Sequence, residues 1–143
     1  MEENRRPSDV AGGPDSLLER GTSIRREVLG EDHVRAAGAA TSDFDRDFQR
    51  FITEVAWGSV WARPGLDRAT RSLVTIAILA ALGRREELAM HLRAVRRTGL
   101  EPERLAEALF HVAVYAGIPA AHAAFQLAKS ILEENPAGEG EGS

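Results

Sequence analysis

Residues 73–82 read LVTIAILAAL, an apolar run broken only by Thr75. Asp67 stands where a helix N-cap belongs, and Gly83 stands where a helix stops. Between them the sequence predicts a helix that is apolar all round, and such a helix belongs at the centre of a fold. At ten residues the run is about half the length needed to span a bilayer.

Working outward, helical spacing recurs on both sides. Phe44, Phe48, Phe51, Ile52 and Val55 fall at i, i+4, i+7, i+8 and i+11, which predicts a long amphipathic helix capped by Ser42. Its end carries Trp57 and Trp61, one turn apart. RPGLD, residues 63–67, is a turn because Pro64-Gly65 cannot continue a helix. An earlier helix runs from Asp15 or Ser16 to Leu29, closed by Gly30. After Gly83, RREELAMHLRAV (residues 84–95) places Leu88, Leu92 and Val95 on one face of a helix that stops at Gly99. Pro102 opens ERLAEALFHVAVYAG, which Gly117 ends, and Pro119 opens AAHAAFQLAKSILEE. No stretch keeps a period of two. The expected class is all-α with about six helices.

The domain expectation is one helical domain over residues 15–134. Residues 1–14 and the Gly- and Glu-rich tail 135–143 are expected to be disordered. Only about 120 residues are then available to cover the apolar central helix, so self-association is expected to bury what is left.

There are no cysteines among the 143 residues. This excludes a thiolate nucleophile, a CxxC redox centre and a cysteine-bound metal. A net charge of −4 argues against nucleic-acid binding. No GxGxxG, P-loop or HExxH occurs, and the first residues lack the apolar core of a secretory signal. A cytoplasmic location is expected, with no membrane or nucleic-acid partner.

Several residues are candidates for chemistry. Glu87 and His91 sit at i and i+4, with His91 between Leu88 and Leu92 when viewed down the helix axis. They read either as a surface pair or as a carboxylate that orients and charges an imidazole acting as general acid or base. Arg63 and Arg71 flank the RPGLD turn. They read as solvated charge, with Arg71 able to pair with Asp67, or as a carboxylate clamp. Trp57 and Trp61 read as core or as a pocket wall beside Arg63. His111 and Tyr115 form a second i,i+4 pair beside Leu105, Leu109 and Val112, expected to be half-buried. His33 and His122 read as surface or interface residues. Glu87, His91 and His111 match no specific metal-ligand spacing.

The span FDRDFQRFITEVAWGSVWARPGLDRATRSLVTIAILAALGRREELAMHLRAVRRTG, with EVLGEDHV before it and YAGIPAAHAAFQLAKS after it, closely resembles the 4-carboxymuconolactone decarboxylase family. The likeness extends over roughly residues 18–132 and rests most on the WG.VW.RPGL, RSL.TIA.L, EL..H and Y.GIPAA patterns. It departs from the family in its longer N-terminus and in His122, where an amide is expected. The resemblance implies an alkylhydroperoxidase-like helical fold, assembled as a trimer or hexamer. It implies cofactor-independent loss of CO2 from 4-carboxymuconolactone, giving 3-oxoadipate enol-lactone in the protocatechuate branch of aromatic degradation. Relatives that act as peroxidases use a CxxC, which this chain lacks. Read onto the family chemistry, His91 is the acid, Glu87 its partner, Arg63 or Arg71 the clamp, and Trp57, Trp61, His111 and Tyr115 the substrate-binding wall. No metal or cofactor is implied. Two other readings stand beside this one. The first is a related enzyme acting on another lactone or quinone-like metabolite in a biosynthetic pathway. The second is a non-catalytic helical oligomer that binds a small aromatic acid.

Overall fold

Ser16 caps the first helix: its hydroxyl accepts from the Glu19 N–H at 3.2 Å. It opens the described part of this computed structural model, residues 16–134. The expectations for 1–14 and 135–143, and Asp15 as a helix start, lie outside the described residues. Eight α-helices follow, where the sequence predicts about six: α1 (Leu17–Leu29), α2 (Glu31–Ala40), α3 (Arg46–Ile52), α4 (Arg68–Leu82), α5 (Arg85–Arg93), α6 (Val95–Thr98), α7 (Pro102–Tyr115) and α8 (Ile118–Glu134). A π-helical segment, Thr53–Trp61, continues α3 directly. No strand occurs among the described residues. The chain divides into two compact units, one ending at Gly65 and one beginning at Leu66.

Two physical causes account for the extra helices. α2 buries no residue, so it leaves no apolar stripe to read in the sequence. Its support is an alanine-rich composition and charge pairing: Arg26 Nε lies 2.9 Å from Glu31, and Arg35 reaches Glu31 and Asp32 at 3.9 Å each. The second cause is a break after α5. The Ala94 N–H turns back to the His91 carbonyl at 3.1 Å, which splits the expected single helix into α5 and α6 before Gly99 closes it with φ 80°.

Ser42 does not cap the helix carrying the phenylalanines. Its N–H donates to the Asp45 carboxylate at 2.8 Å, and its Oγ accepts from the Phe44 N–H at 3.3 Å. This closes a local turn, and α3 begins only after Asp45.

In the N-terminal unit, α1 packs against the π segment through two glycines. A Cβ on Gly21 would overlap the Thr53 carbonyl oxygen, and one on Gly58 would overlap the Leu17 carbonyl oxygen. Only hydrogen at both positions lets the two backbones approach this closely. Ile24, Val28 and Leu29 of α1 and Trp57 and Trp61 of the π segment are buried. Phe44, Phe48 and Phe51 are exposed, at 99%, 60% and 60%.

In the C-terminal unit, α4 packs against α5, α7 and α8. Its core contribution is Ile76 and Ala80, joined by Leu88 and Leu92, by Leu105, Leu109 and Val112, and by the small face of α8 at Ala121, Ala124 and Ala128. The expectation that α4 is buried on every side is corrected here. Val74, Ile78 and Leu82 form a second stripe that is 44%, 53% and 60% exposed. The four other helices of this unit, α5 to α8, leave that side of α4 exposed among the described residues.

Candidate active site

The N-terminal unit holds the two tryptophans and Arg63. The π segment places Trp57 and Trp61 one above the other, with ring centroids 4.9 Å apart and planes at 31°. Both are buried, at 4% and 7% exposure. A π segment widens the helical turn, and such segments are found disproportionately at functional sites. Arg63 follows in the turn and is exposed.

Arg71, Glu87, His91, His111 and Tyr115 belong to the C-terminal unit. Asp67 caps α4, its carboxylate accepting the Thr70 N–H at 2.8 Å. That bond, then the Thr70 side chain, hold the Asp67 carboxyl below the usual aspartate value against an opposing effect of burial, with a lesser contribution from the charge of Arg104. Arg71 lies in the first turn of α4, half-buried, with its Nε closed to solvent. Ser72, the next residue, is fully buried, and its Oγ has no hydrogen-bond partner among the described residues.

His91 lies on α5 between Leu88 and Leu92 and is 6% exposed. The amphipathic phase of α5 turns the imidazole inward with the two leucines. Glu87, one turn earlier, is exposed. Position i+4 keeps it within reach through side-chain rotation, since Cβ atoms at this spacing lie about 5–6 Å apart.

His111 and Tyr115 are exposed, Tyr115 to 86%, and their rings stack at 6.3 Å with planes 11° apart. The pair forms, but on the surface and not half-buried as the sequence suggests. At 100° per residue, His111 falls about 120° and Tyr115 about 90° from the centre of the Leu105, Leu109 and Val112 stripe. Being near that stripe in the chain does not bring them onto its face. His111 does line a largely apolar groove of about 410 Å³ between α4 and α7, with Leu73, Val74, Ala77, Arg104, Glu107 and Ala108. His91 is not part of that lining. Among the described residues no cluster of three or more His, Cys, Asp or Glu side chains is placed to hold a metal ion.

Two features escaped the sequence reading. Ser72 stands immediately before the apolar run, where nothing in the sequence marks it out. Arg25 of α1 lines a cavity with residues from α2 and α3. A sign of the second was the absence of any acid one turn before or after Arg25, at Gly21 and Leu29.

Comparison with known proteins bears on the same residues. The model of the carboxymuconolactone decarboxylase family matches residues 46–130, a span containing all eight candidate side chains. A 4-carboxymuconolactone decarboxylase of Acinetobacter baylyi is 50% identical over 115 residues, covering 80% of this chain and 86% of the relative. A nitrosuccinic acid decarboxylase of Metarhizium robertsii is 41% identical over 103 residues, 72% of each chain. An uncharacterized 15.0 kDa protein of Paracoccus denitrificans is 30% identical, with 73% of this chain and 86% of the relative covered. With the family model extending from the start of α3 into α8, and half of the residues identical to one member across four-fifths of the sequence, this chain belongs to the carboxymuconolactone decarboxylase family.

Proposed function

We infer that this chain is a carboxy-lyase that decarboxylates 4-carboxymuconolactone to 3-oxoadipate enol-lactone and CO2, in the protocatechuate branch of aromatic degradation. The observation that carries this reading is the 50% identity to a 4-carboxymuconolactone decarboxylase over 80% of the chain. The nitrosuccinic acid decarboxylase relative supports the reaction class, loss of CO2, on a different carbon skeleton.

The substrate is a butenolide whose saturated ring carbon bears both the carboxylate and an acetate arm. When the C–CO2 bond breaks, its electron pair enters the ring double bond and then the lactone carbonyl. The product of that step is a dienolate. A proton added at the ring carbon next to the carbonyl gives the enol-lactone. The substrate thus carries its own electron sink, and the reaction needs no cofactor to accept the pair. The protein has to hold an anionic arm, stabilise charge on the lactone oxygen and deliver one proton.

We assign the proton to His91. Its inward position on α5 supports the assignment, because a transferable proton is best kept away from bulk water. Glu87 is its partner, brought in by rotation of an exposed side chain. Arg71, half-buried at the start of α4, suits the carboxylate clamp better than exposed Arg63, because a guanidinium shielded from water binds a carboxylate more strongly. Trp57, Trp61, His111 and Tyr115 are the remaining candidates for substrate contact, as the family resemblance implies.

The working form is a homo-oligomer, a trimer or hexamer, in the cytoplasm. The uncovered α4 stripe and the exposed phenylalanines at 44, 48 and 51 support assembly. No helix among the described residues is long and apolar enough to cross a membrane.

The test is turnover by the purified protein with 4-carboxymuconolactone, following CO2. General acid catalysis typically contributes about 100- to 10,000-fold, so His91→Ala lowers kcat by an amount in that range with little change in substrate affinity. Arg71→Ala mainly raises KM, by about tenfold or more for a lost charge-assisted pair. Ligand binding without CO2 release, in wild-type protein, is the result expected of a non-catalytic binding protein and refutes the reading.

A further inference from the structure

The N-terminal unit contains a cavity that the proposed reaction does not use. It measures about 280 Å³ and is lined from α1, α2 and its C-cap Thr41, α3, and Thr53 at the start of the π segment. Three arginines line it, Arg25, Arg46 and Arg50, and no carboxylate does. Arg46 is paired with Asp43 at 2.6 Å, and Arg50 with Glu54 at 2.6 Å. Arg25 has no acidic partner among the described residues. Its Nη1 donates a long bond to Thr53 Oγ1 at 3.3 Å, and its Nε is closed to solvent without a hydrogen bond. Burial alone holds its guanidinium below the ordinary arginine value. A half-buried cation without a counter-ion is costly unless something fills that role.

The rest of the lining narrows the class of ligand. Thr22, Thr41 and Thr53 each donate their hydroxyl proton back to the carbonyl four residues earlier, at 2.7, 2.8 and 2.8 Å. Their protons are therefore spent, and they do not help to hold a phosphate, which calls for several donors around a tetrahedron. A planar carboxylate needs only the guanidinium fork. Val34, Ala37 and Gly38 form an apolar wall along α2. Gly38 leaves room there, since a Cβ on it would meet nothing within 4 Å. At about 280 Å³ the space lies at the small end of ligand pockets.

We propose that this cavity binds a small organic carboxylate with a short apolar body, its carboxylate on Arg25 and its body against Val34, Ala37 and Gly38. The site is independent of the decarboxylase reading. Thr22, Arg25, Val34, Ala37, Gly38 and Thr41 all precede the span matched by the family model, and His91 lies in the other unit.

Isothermal titration calorimetry on the full chain tests it, with butanoate and inorganic phosphate as separate probes. Wild-type protein binds butanoate with a dissociation constant in the millimolar range, about what one charge-assisted contact with a small apolar body supports. Arg25→Gln weakens that binding tenfold or more. Gly38→Leu, which fills the apolar end and leaves Arg25 in place, does the same, and it carries the test if Arg25→Gln does not fold. His91→Ala binds butanoate as the wild type does. Phosphate binds at least tenfold more weakly than butanoate. No heat from butanoate at tens of millimolar overturns the proposal, as does equal binding of phosphate. Binding that survives Gly38→Leu but is lost in His91→Ala places the probe at the proposed active site and overturns it too. Failure here leaves CO2 release untouched, so the two readings fail separately.

Discussion

Gly21→Ala tests the packing that holds the tryptophan-bearing π segment. The new methyl would overlap the Thr53 carbonyl oxygen and lie 2.9 Å from both the Thr53 carbonyl carbon and the Gly58 nitrogen. All three are backbone atoms, so no rotamer change relieves the contact and α1 must move away as a body. Overpacking typically costs about 1–3 kcal/mol, and rigid backbone neighbours put this case at or above the upper end. Alanine returns about 1 kcal/mol through helix propensity. The net expectation is a loss of about 2 kcal/mol, or a Tm lower by roughly 6–10 °C in a chain of this size. Gly38→Ala is the control in the same unit. Its Cβ meets nothing within 4 Å, so it should gain up to about 1 kcal/mol. Thermal and urea unfolding at fixed protein concentration measure both, because an associating protein has a concentration-dependent Tm. Near-UV circular dichroism adds a local readout, since Trp57 and Trp61 lie close enough for their transitions to couple. Wild-type stability and an unchanged tryptophan signal in Gly21→Ala would refute the close crossing of α1 and the π segment.

Further outcomes follow from the C-terminal unit. Ile78→Glu, at the middle of the uncovered α4 stripe, should lower the oligomeric state in sedimentation velocity without unfolding the chain. Burying an Ile contributes about 1.5–3 kcal/mol, so the association constant should fall tenfold or more; unchanged sedimentation removes α4 from the interface. Asp67, whose folded pKa is depressed chiefly by the Thr70 N–H, adds stability that is present above the ordinary aspartate value and is lost as pH falls through the folded one. Asp67→Asn keeps a capping oxygen but not the charge, so it should lower stability at neutral pH, leave acid pH (where Asp67 is protonated) nearly unchanged, and so flatten the acid side of a stability–pH curve.

What could be read in the sequence follows from what each element buries. Ser16, Gly30, Asp67, Gly83 and Pro102 act at helix ends through local chemistry, and all five stand at or beside the ends that local chemistry predicts. α2 escaped because a helix that buries nothing carries no periodic signal. Ser42 misled because its hydroxyl and Asp45 close a turn on each other. The all-apolar α4 gave the correct element but not its surroundings, since hydrophobicity does not say whether the same chain or another copy provides the cover. At the candidate site, the phase of α5 placed His91 inside. The stripe of α7 was visible, but sequence neighbours of a stripe are not on it, so His111 and Tyr115 were placed too deep. Arg25 could not be singled out because its lack of an acid becomes informative only once α2 and α3 enclose it.

The exposure of Glu87 separates two roles that the sequence left joined. In the first turn of α5 a carboxylate stabilises the positive end of the helix, and an outward-facing side chain does this well. That role predicts a small change in stability for Glu87→Gln and no change in kcat. The other role requires Glu87 to rotate onto the buried imidazole during turnover. A carboxylate in contact with an imidazolium favours its protonated form, and a general acid is active only while protonated. Activity therefore falls as pH rises past the point where the proton is lost. Removing the carboxylate should move that high-pH limb to lower pH and reduce kcat by less than His91→Ala does. Asp in place of Glu87 supplies the discriminating third variant: it keeps the charge at the helix end but is one methylene too short to reach His91 as well. If Glu87→Asp restores stability but not the pH profile, the carboxylate acts on the imidazole. If Glu87→Gln leaves the pH–rate profile of kcat unchanged, Glu87 serves only the helix, and His91 performs proton transfer without it.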